Sequence, residues 1–576
     1  MKEKRHYPGK NGKNALEVVR EIFYSTDPAD LSYMNTNVPC QSACPAYTNI
    51  PAYIRCLSEG RFSRSYELNR ITNVLPGVLG RICSRPCEEK CRHGEAELGR
   101  PVNICHIKRA ASDFKEAGHI YMEQLFTPLG KRVAIIGAGP SGLAAAHDLS
   151  TIGISVTILE AFDMPGGMLR YGIPGFRLPR DVLKAEIESI LRLGVKLKTG
   201  VKVGRDIAME DLSAKYDAIL LATGCFKANK LEIPGERLHG VHSGIKFMID
   251  ITSGRPPSVG QKVLVIGAGF TAFDCARSAL RLGAEDVTIC LRRTEEDLMV
   301  TQDEIFETKR EGVKIKSLLL SRRVIGNGQL AGVEFVRTRP GELMPEGKRE
   351  ITPIEGSEFT LPADSVIVAT GQRPEPIESP GDKDASGVLI GDRVTYHTSI
   401  PKLYVTGDYL TGPSTVIEAI ARGRAAAKSI AEDLTGKKFW EKAVRLEETK
   451  ITDRLRSWDF ITRQEIPSIT SIERRTKTPN MEVEQGYSQK QAKEESKRCY
   501  LCYLHFEIDT GRCIYCRYCI DVAPRDCIKM VKEVKTNKIG AVTDFVETKN
   551  WKNVNAIVID NSRCIRCGEC MRVCPV

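Results

Sequence analysis

Two stretches of the chain carry the same succession of apolar and small residues. Residues 131–160 begin with an apolar, β-branched run, continue through a glycine-rich turn into an alanine-rich segment, and end with a second β-branched run. Residues 262–293 repeat this order. Short continuous apolar runs predict buried strands of a parallel sheet, and the segment between them predicts a crossover helix. The pattern therefore predicts two βαβ units of Rossmann type in the middle of the chain.

The turn of the first unit has the spacing of a dinucleotide fingerprint, with an acidic residue at the end of the second strand. Gly137 permits the tight turn, and Gly139 lets the backbone approach a pyrophosphate. Gly142 allows close packing of the helix on the strand, and Glu160 can accept a hydrogen bond from a ribose hydroxyl. Because strand, helix and acid all lie where this mechanism needs them, we predict a nucleotide site rather than a structural glycine turn.

The second unit has the GxGxxA variant of the fingerprint, with Gly267, Gly269 and Ala272. It therefore predicts a second bound nucleotide. Its second strand is followed by Arg292 and Arg293 instead of an acid, and two cations suit the 2′-phosphate of NADP. The competing interpretation is a solvated arginine pair that Glu295 and Glu296 neutralise. We expect NADP at this unit.

Four further segments complete a set of motifs. Residues 218–224 and 365–371 are near-repeats of a buried strand that ends in Ala-Thr-Gly. Residues 403–430 form a strand, a Gly-Asp pair and a helix, and residues 165–179 read PGGMLRYGIPGFRLP. With these motifs, the region 130–435 resembles the flavoprotein module of the glutamate synthase small subunit and of dihydropyrimidine dehydrogenase.

The resemblance implies that the first fingerprint holds FAD and that the second, inserted into the FAD domain, holds NADPH. The motifs imply an FAD site made of Gly137, Gly139, Ser141, Gly142, Glu160, Gly166, Gly167, Gly407, Asp408 and Thr415. They imply an NADP site made of Gly267, Gly269, Ala272, Arg292 and Arg293. The family often has a further arginine a few residues after this pair, where the chain reads EEDLMVTQDE, so NADH stays open.

Composition and charge exclude several classes of function. The chain has 576 residues and a net charge of +11, without a basic block interleaved with aromatics, which argues against nucleic-acid binding. No run reaches the ~18 apolar residues of a membrane span, and the charged first residues contain no signal-peptide core. We therefore expect a cytoplasmic protein without a membrane span. In that compartment its 20 cysteines suit metal ligation better than disulfides.

The N-terminal cysteines have the spacing of iron-sulfur ligands. CQSACP begins at residue 40 and CSRPCEEKC at residue 83, with a further cysteine at 105. This dense arrangement is far from zinc-finger spacing, although zinc stays the alternative. Cys56 lies among apolar neighbours in a helix-like segment, and we interpret it as a core residue. The segment resembles the N-terminal helical domain of the same family, which holds two 4Fe-4S clusters.

One ligand pair implied by this resemblance is missing. The family has a CxxC pair shortly before CxxxCP, where this chain reads LSYMNTN, whereas RCYLC near the C-terminus has the form of that pair. Our hypothesis is that Cys499 and Cys502 return in space to the N-terminal domain. One cluster would then be held by Cys40, Cys91, Cys499 and Cys502. The other would be held by Cys44, Cys83, Cys87 and Cys105.

The C-terminal cysteines follow a two-cluster ferredoxin pattern in which one run is broken. CIRCGECMRVCP is intact, but CIYCRYCIDVAP has Ala523 where the fourth cysteine should precede the proline. Because each fourth cysteine reaches the other cluster, one set is Cys513, Cys516, Cys519 and Cys574. The other set is Cys564, Cys567, Cys570 and Cys527. Asp526 is a weaker alternative to Cys527, since carboxylate binds this iron less well than thiolate, and a three-iron cluster is the third.

These features predict a multidomain protein. It has an N-terminal α-helical iron-sulfur domain, two nested Rossmann-like α/β nucleotide-binding domains, and a C-terminal α+β ferredoxin-like domain. The expected divisions are the helical domain at 1–129, the first part of the FAD domain at 130–240, the NAD(P)H domain at 241–362, the second part of the FAD domain at 363–435, a connector at 436–495, and the ferredoxin domain at 496–576.

The cofactors together predict the reaction. A nicotinamide delivers two electrons as hydride, clusters carry electrons one at a time, and a flavin exchanges both. We therefore predict an NAD(P)H-dependent oxidoreductase subunit with FAD and four 4Fe-4S clusters, which needs no catalytic side chain. Its partner would be ferredoxin or a catalytic oxidoreductase subunit of a hetero-oligomeric complex.

Three alternatives use the same motifs. The first is an electron-bifurcating transhydrogenase subunit, and the second is a non-redox scaffold with structural clusters. The third is a disulfide reductase, which would need a cysteine pair beside the flavin. The segment GGMLRYGIP contains no cysteine, which argues against the third.

Overall fold

Helices form the first part of the chain. The computed structural model describes residues 31–94, 99–116, 126–343, 349–440, 447, 449, 452–469, 478–506, 508, 511–536 and 542–576. The expectation of no signal segment concerns residues 1–30, which lie outside the described residues, as do parts of the connector. The first helices are Ser32–Asn37, Pro39–Ala43, Ile50–Ser58, Phe62–Asn73, Pro76–Ile82, Pro86–Glu89 and Ile104–Asp113.

The helix Ile50–Ser58 illustrates why these segments fold this way. Its buried side chains include Tyr53 and Leu57, four positions apart, so one face of the helix packs into the core. The side chain of Asn49 accepts a hydrogen bond from a first-turn amide at 3.3 Å and caps the helix. Cys56, interpreted as a core residue, is buried on this helix.

The first βαβ unit belongs to a five-stranded parallel sheet. In spatial order its strands are Leu403–Val405, Ala218–Leu221, Arg132–Ile136, Ser155–Leu159 and Lys196–Lys198. The associated helices are Pro140–Thr151, Met168–Tyr171, Arg180–Leu191, Met209–Lys215, Asp408–Thr411 and Val416–Thr435. The central strands are buried almost throughout, because helices cover a parallel sheet on both faces.

The second βαβ unit lies in a separate five-stranded parallel sheet. Its strands are Val241–Ser243, Ser365–Val368, Lys262–Ile266, Asp286–Cys290 and Lys314–Lys316 in spatial order. The helices of this domain are Gly244–Thr252, Phe270–Arg281 and Gln302–Arg310. An antiparallel sheet of Leu319–Asn327, Gln329–Leu343, Arg349–Pro353 and Phe359–Pro362 is attached to it. The two nested Rossmann-like domains of the prediction are therefore present.

A two-stranded antiparallel ribbon, Lys227–Ala228 with Gln372–Arg373, connects the two nucleotide domains. The strand Ser365–Val368 pairs with Lys262–Ile266 and so belongs to the inner sheet. Residues 365–368 thus belong to the inner domain, and its boundary with the second part of the FAD domain lies at the ribbon instead of after residue 362. The physical reason is that a buried strand belongs to the sheet whose backbone groups it pairs with, and a sequence pattern does not name that partner.

The connector folds back onto the N-terminal helices. Its helix Gln489–Lys497 packs on Ile50–Ser58. A capping box starts the helix, in which the side chains of Ser488 and Gln491 each bond the other residue's amide. The helix also runs through the boundary expected after residue 495. The last part of the chain thus returns to the first.

The ferredoxin-like domain has a small antiparallel sheet and two short helices. The strands are Ile528–Thr536, Val542–Glu547 and Ala556–Ile559, and the helices are Tyr518–Val522 and Glu569–Arg572. This α+β arrangement agrees with the prediction. In the described part of the chain, every helix is too short or too polar to span a lipid bilayer.

Candidate cofactor and cluster sites

The glycine turn of the first unit borders a cavity of about 620 Å³. Its lining includes seven of the predicted FAD residues: Gly137, Gly139, Ser141, Glu160, Gly167, Asp408 and Thr415. Gly142, Gly166 and Gly407 are not among the lining residues. The volume falls within the ~300–1,000 Å³ typical of ligand and cofactor pockets.

Gly142 and Gly407 allow neighbouring segments of the chain to approach closely. A Cβ on Gly142 would lie 2.1 Å from the carbonyl oxygen of Gly137, and a Cβ on Gly407 would lie 2.9 Å from the Cβ of Ser141. Gly137 itself has φ +108° and would place a Cβ 2.5 Å from the Ala222 oxygen. These approaches leave no room for a side chain, so the turn requires glycine.

Glu160 is buried and holds the turn from the end of the second strand. Its carboxylate accepts hydrogen bonds from the amide of Ala138 at 2.7 Å and of Phe162 at 2.9 Å. Burial raises the pKa of Glu160, while these amides lower it. A carboxylate has about four acceptor positions, so Glu160 keeps capacity for a ribose hydroxyl.

The opposite wall of the cavity ends at the start of the helix Val416–Thr435. Thr415 caps this helix, and its side chain exchanges hydrogen bonds with Glu418. Asp408 accepts a hydrogen bond from Ser414, and burial raises the pKa of Asp408. Thr415 and Val416 at the start of this helix line the cavity that the glycine turn also borders, an arrangement that favours a pyrophosphate.

Sequence reasoning missed several lining residues. Phe162 lines the cavity and stacks on Tyr171, with ring centroids 4.3 Å apart. The ring centroid of Phe226 lies 5.2 Å from that of Phe162. Cys225 is buried, lines the cavity and donates its thiol to the Asp408 carbonyl at 3.2 Å. Its position directly after Ala-Thr-Gly was the available signal. It is the only cysteine among the described lining residues.

The second glycine turn bends as tightly as the first. A Cβ on Gly267 would lie 2.3 Å from the Ala369 oxygen, but a Cβ on Gly269 would meet nothing within 4 Å. Ala272 is completely buried on the helix Phe270–Arg281. The turn therefore has the required tight bend and free space above its second glycine.

Arg292 and Arg293 follow the second strand of this unit without acidic partners among the described residues. Glu295, expected as a neutralising neighbour, pairs instead with Lys309 at 2.6 Å. Arg292 is exposed, and the Nε of Arg293 is buried with no hydrogen-bond partner in the described structure. Both side chains are thus available to an anion.

A groove of about 850 Å³ opens beside the inner sheet. It is lined in part by Lys230, Arg237, His242, Ser243 and Val368, at the carboxyl ends of two strands. Ligands of open α/β sheets bind at such ends. No motif pointed to Lys230 and Arg237, because they lie in the irregular segment before the inner domain, whereas Val368 lies in the repeat at 365–371.

The structure brings cysteines from both ends of the chain together in the N-terminal region. Burial, followed by the thiols of Cys502, Cys91 and Cys499, raises the pKa of Cys40 well above its usual value. The helix Gln489–Lys497 brings Cys499 and Cys502 to the N-terminal helices. The amide of Leu501 donates a hydrogen bond to the Cys499 sulfur at 3.4 Å. Four thiols therefore lie within electrostatic reach of one another.

A second N-terminal group surrounds a buried lysine that sequence reasoning missed. Burial alone would lower the pKa of Lys108. The neighbouring thiols outweigh burial and raise that pKa; they are Cys83, Cys105, Cys87 and Cys44. Cys105 also donates its thiol to the Leu79 carbonyl at 3.2 Å.

The C-terminal cysteines form two further groups. Burial and three thiols raise the pKa of Cys519 to about 11; they belong to Cys513, Cys516 and Cys574. The hydrogen bond with Cys564, then burial, raises the pKa of Cys527, to which the thiols of Cys570 and Cys567 add. Asp526, the alternative to Cys527, has a side chain 70% exposed and pairs with Lys529.

The donor set of these groups fits iron-sulfur clusters. Each consists of four thiols, the ligand set of a 4Fe-4S cluster. Within the described ranges, no three His, Cys, Asp or Glu side chains converge closely enough to hold a single metal ion. A cluster is larger than one ion, so its thiols stand farther apart than the ligands of zinc.

Comparison with known families matches three parts of the chain. The family described as pyridine nucleotide-disulphide oxidoreductase matches residues 131–423, more than half of the chain. Dihydropyrimidine dehydrogenase domain II, 4Fe-4S cluster, matches residues 29–120. The 4Fe-4S dicluster domain matches residues 512–576. These matches confirm the predicted fold classes.

Similar proteins include subunits of several redox enzymes. The NADP(+)-dependent formate dehydrogenase subunit beta of Moorella thermoacetica is 39% identical over 69% of this chain and 60% of its own length, less than two thirds. The NADPH-Fe(3+) oxidoreductase subunit beta of Geobacter sulfurreducens is 35% identical over 81% of this chain and 75% of its own length. The glutamate synthase [NADPH] small chain of Escherichia coli is 36% identical over 68% of this chain and 88% of its own length. The chain thus belongs to the pyridine nucleotide-disulphide oxidoreductase family, as an iron-sulfur oxidoreductase akin to the glutamate synthase small chain.

Proposed function

We propose that this chain oxidises NADPH at a bound FAD and exchanges the electrons singly, through four 4Fe-4S clusters, with ferredoxin or a catalytic subunit of a complex. FAD supplies the chemistry that joins these halves, because a flavin accepts hydride and exchanges single electrons. The residues of the chain have to hold the nucleotides and space the clusters. The observation that supports the proposal most is the meeting of Cys40 and Cys91 with Cys499 and Cys502.

The cavity of about 620 Å³ supports the FAD site. Its walls combine the glycine turn, the carboxylate of Glu160 and the start of the helix Val416–Thr435. In our proposal the turn and helix amides bind the pyrophosphate, and Glu160 accepts from the ribose. The apolar side chains of Phe162 and Leu169 help to exclude water.

Arg292 and Arg293 support NADPH over NADH. Since the described structure gives them no acidic partner, a 2′-phosphate would complete their ionic interactions. Gly267 and Gly269 would meet the pyrophosphate of the same nucleotide. We propose that these residues and Ala272 form the NADP site, within the inner domain enclosed by the ribbon.

Four groups of four thiols support four clusters. They use sixteen of the 20 cysteines, and all 20 are free thiols. Free thiols in this number suit the reducing cytoplasm, where we propose that the protein acts. The thiol of Cys519 lies close enough to Cys570 to raise the pKa of Cys570, so the two C-terminal groups are neighbours.

The C-terminal end offers an exit for electrons. Cys574 is exposed, whereas in the N-terminal groups Cys91 and Cys499 are half-buried and the other six cysteines are buried. A partner can approach a site here more closely than anywhere in the N-terminal region. We therefore propose that ferredoxin or the catalytic subunit docks at this domain, in keeping with relatives that are named as subunits.

Reductive titration tests the proposal. Anaerobically purified protein should contain about 16 irons for each FAD, as four 4Fe-4S clusters require. NADPH should bleach the flavin absorbance and produce the electron paramagnetic resonance (EPR) signals of reduced clusters, whereas NADH should do so only at higher concentration. Colourless protein, or iron that stays oxidised with either nucleotide, would refute the proposal.

A double substitution tests the shared N-terminal group. Cys499→Ser with Cys502→Ser should remove about four irons, the content of one cluster. The matched control is Cys56→Ala, a buried cysteine outside the four groups, which should keep the full iron content. An unchanged iron content in the double variant contradicts this ligand set.

A further inference from the structure

One arginine of the connector lies buried between two of the cysteine groups. The side chain of Arg454 is 0% exposed. Its Nε donates a hydrogen bond to the carbonyl of Cys499 at 3.1 Å, and its Nη1 donates to the carbonyl of Ile565 at 2.8 Å. Cys499 belongs to the candidate site of Cys40 and Cys91, and Ile565 lies between Cys564 and Cys567. A single guanidinium therefore ties the loops of two candidate cluster sites together.

The charge of Arg454 acts on sulfurs of both sites. Burial lowers the pKa of Arg454, while Asp459, Tyr500, Cys499 and Cys567 raise it. An arginine nevertheless keeps its proton in proteins. The guanidinium is thus a permanent positive charge within electrostatic reach of one thiol from each site.

The nearby carboxylate neutralises this charge only in part. Asp459 Oδ1 lies 4.0 Å from Arg454 Nη2 and accepts a hydrogen bond from Tyr500 at 3.0 Å. Asp459 also pairs with Arg525 at 2.9 Å. Nη2 of Arg454 has no hydrogen-bond partner in the described structure. Because a buried cation is costly without sufficient negative charge, the thiolates of bound clusters on either side would complete its compensation.

A second buried arginine fixes the same contact. Arg566 is fully buried and donates to the carbonyls of Leu504 at 3.1 Å and Asn561 at 3.1 Å. Arg92 of the N-terminal region donates to the same Asn561 carbonyl at 3.0 Å. The N-terminal helices, the loop after Cys499 and the ferredoxin-like domain therefore meet in one buried contact.

A fixed charge here affects electron affinity at both sites. The reduction potential of a cluster depends on nearby charge, on hydrogen bonds and on solvent exposure. A cation stabilises the form that carries one more electron, and the effect is large in a dry environment. The relevant step is the passage of one electron from one site to the other, without transfer of an atom or a proton.

We propose that Arg454 is a positioning residue that joins the N-terminal site of Cys40, Cys91, Cys499 and Cys502 to the ferredoxin site of Cys527, Cys564, Cys567 and Cys570, and that its charge raises the reduction potentials of both. This rests on the proposed function, because it requires clusters at both sites. It gives the connector a role in electron transfer that its sequence does not indicate.

Potentiometric titration followed by EPR of the full-length protein tests this inference. Arg454→Met keeps the length of the side chain and removes the charge, so the midpoint potentials of two clusters should both become more negative. Arg454→Lys keeps the charge, so its midpoint potentials should stay close to those of the wild-type protein. Asp459→Asn removes the opposing charge and should move both potentials in the positive direction. Arg322→Met, an exposed arginine on the hairpin of the inner domain, should change neither.

Rapid mixing with NADPH measures the positioning role separately. In Arg454→Met, flavin reduction should keep its rate, whereas reduction of the C-terminal clusters should slow by at least about tenfold, or about 1.4 kcal/mol of barrier. Unchanged potentials in Arg454→Met with full iron content, or equal shifts in the Lys and Met variants, would overturn the inference. If the proposed function itself is wrong, the wild-type protein shows no NADPH-reducible clusters.

Discussion

In the first βαβ unit the third small residue of the glycine turn is Gly142, and in the second it is Ala272. A Cβ at Gly142 would lie 2.1 Å from a backbone oxygen, whereas the methyl of Ala272 is accommodated in the core. The second strand of the first unit is followed by a buried acid bound to two amides, and that of the second unit by two arginines without acidic partners in the described structure.

This comparison shows that one motif builds two kinds of site. In the first unit Gly142 packs against the backbone and Glu160 is bound by two amides of the protein, which suits a resident cofactor. In the second unit Arg292 and Arg293 have no acidic partner in the described structure, which suits a ligand that supplies the anion. We infer that FAD stays bound while NADPH exchanges, and each prediction below tests one side of that contrast.

The largest effect is expected from Gly142→Ala. The added methyl meets the backbone oxygen of Gly137, which cannot move aside as a flexible side chain would. Overpacking of this kind costs about 1–3 kcal/mol or more. The purified variant should lose most of its FAD, measured as the ratio of flavin to protein absorbance, and should melt at a lower temperature. Full flavin content would show that the turn is not closely packed.

The next effect is expected from Arg293→Ala. A hydrogen bond to a charged group contributes about 1.5–3 kcal/mol, so the Kd for NADPH should rise by about tenfold to a hundredfold. The Kd for NADH should not change, because NADH lacks the 2′-phosphate. Arg322→Ala serves as the control for a lost positive charge. An equal loss of affinity for both nucleotides would contradict a role in recognising the phosphate.

A smaller effect is expected from Glu160→Gln. The amide group of glutamine has one acceptor oxygen, so one of the two backbone amides that Glu160 binds would face an NH2 group instead. An unsatisfied buried donor costs about 1–3 kcal/mol. FAD should dissociate faster, as followed by the rise of free-flavin fluorescence. An unchanged rate of flavin release would contradict a role of Glu160 in holding the cofactor.

The smallest effect is expected from Ala272→Gly, which is the reverse of Gly142→Ala, made in the turn of the second unit. Glycine inside a helix costs about 0.5–1 kcal/mol relative to alanine. The melting temperature should fall slightly, while the FAD content and the NADPH Kd should stay at wild-type values. A loss of nucleotide binding as large as that of Arg293→Ala would contradict the expectation that the methyl group of Ala272 only packs in the core.

Much of the fold was predictable because its signals are local. The two strand-turn-helix-strand units, the glycine at Gly137 and the capped helix after Thr415 each depend on neighbours in the sequence. The pattern could not assign residues 365–371 to the inner sheet, since a buried strand in either sheet has the same composition. It also did not reveal that the buried Cys225 lines the cavity, because a short motif does not show which cavity a side chain borders.

The sequence by itself determined the chemistry: which residues are thiols, where backbone can turn without a side chain, and where cations follow a strand. The ligand pattern suggested that Cys499 returns to Cys40, but only the tertiary structure decided how the distant groups are joined, with Arg454 between Cys499 and Ile565. The physical reason is that spacing constrains residues within a turn or two of each other, whereas contacts between remote segments follow from the packing of whole domains.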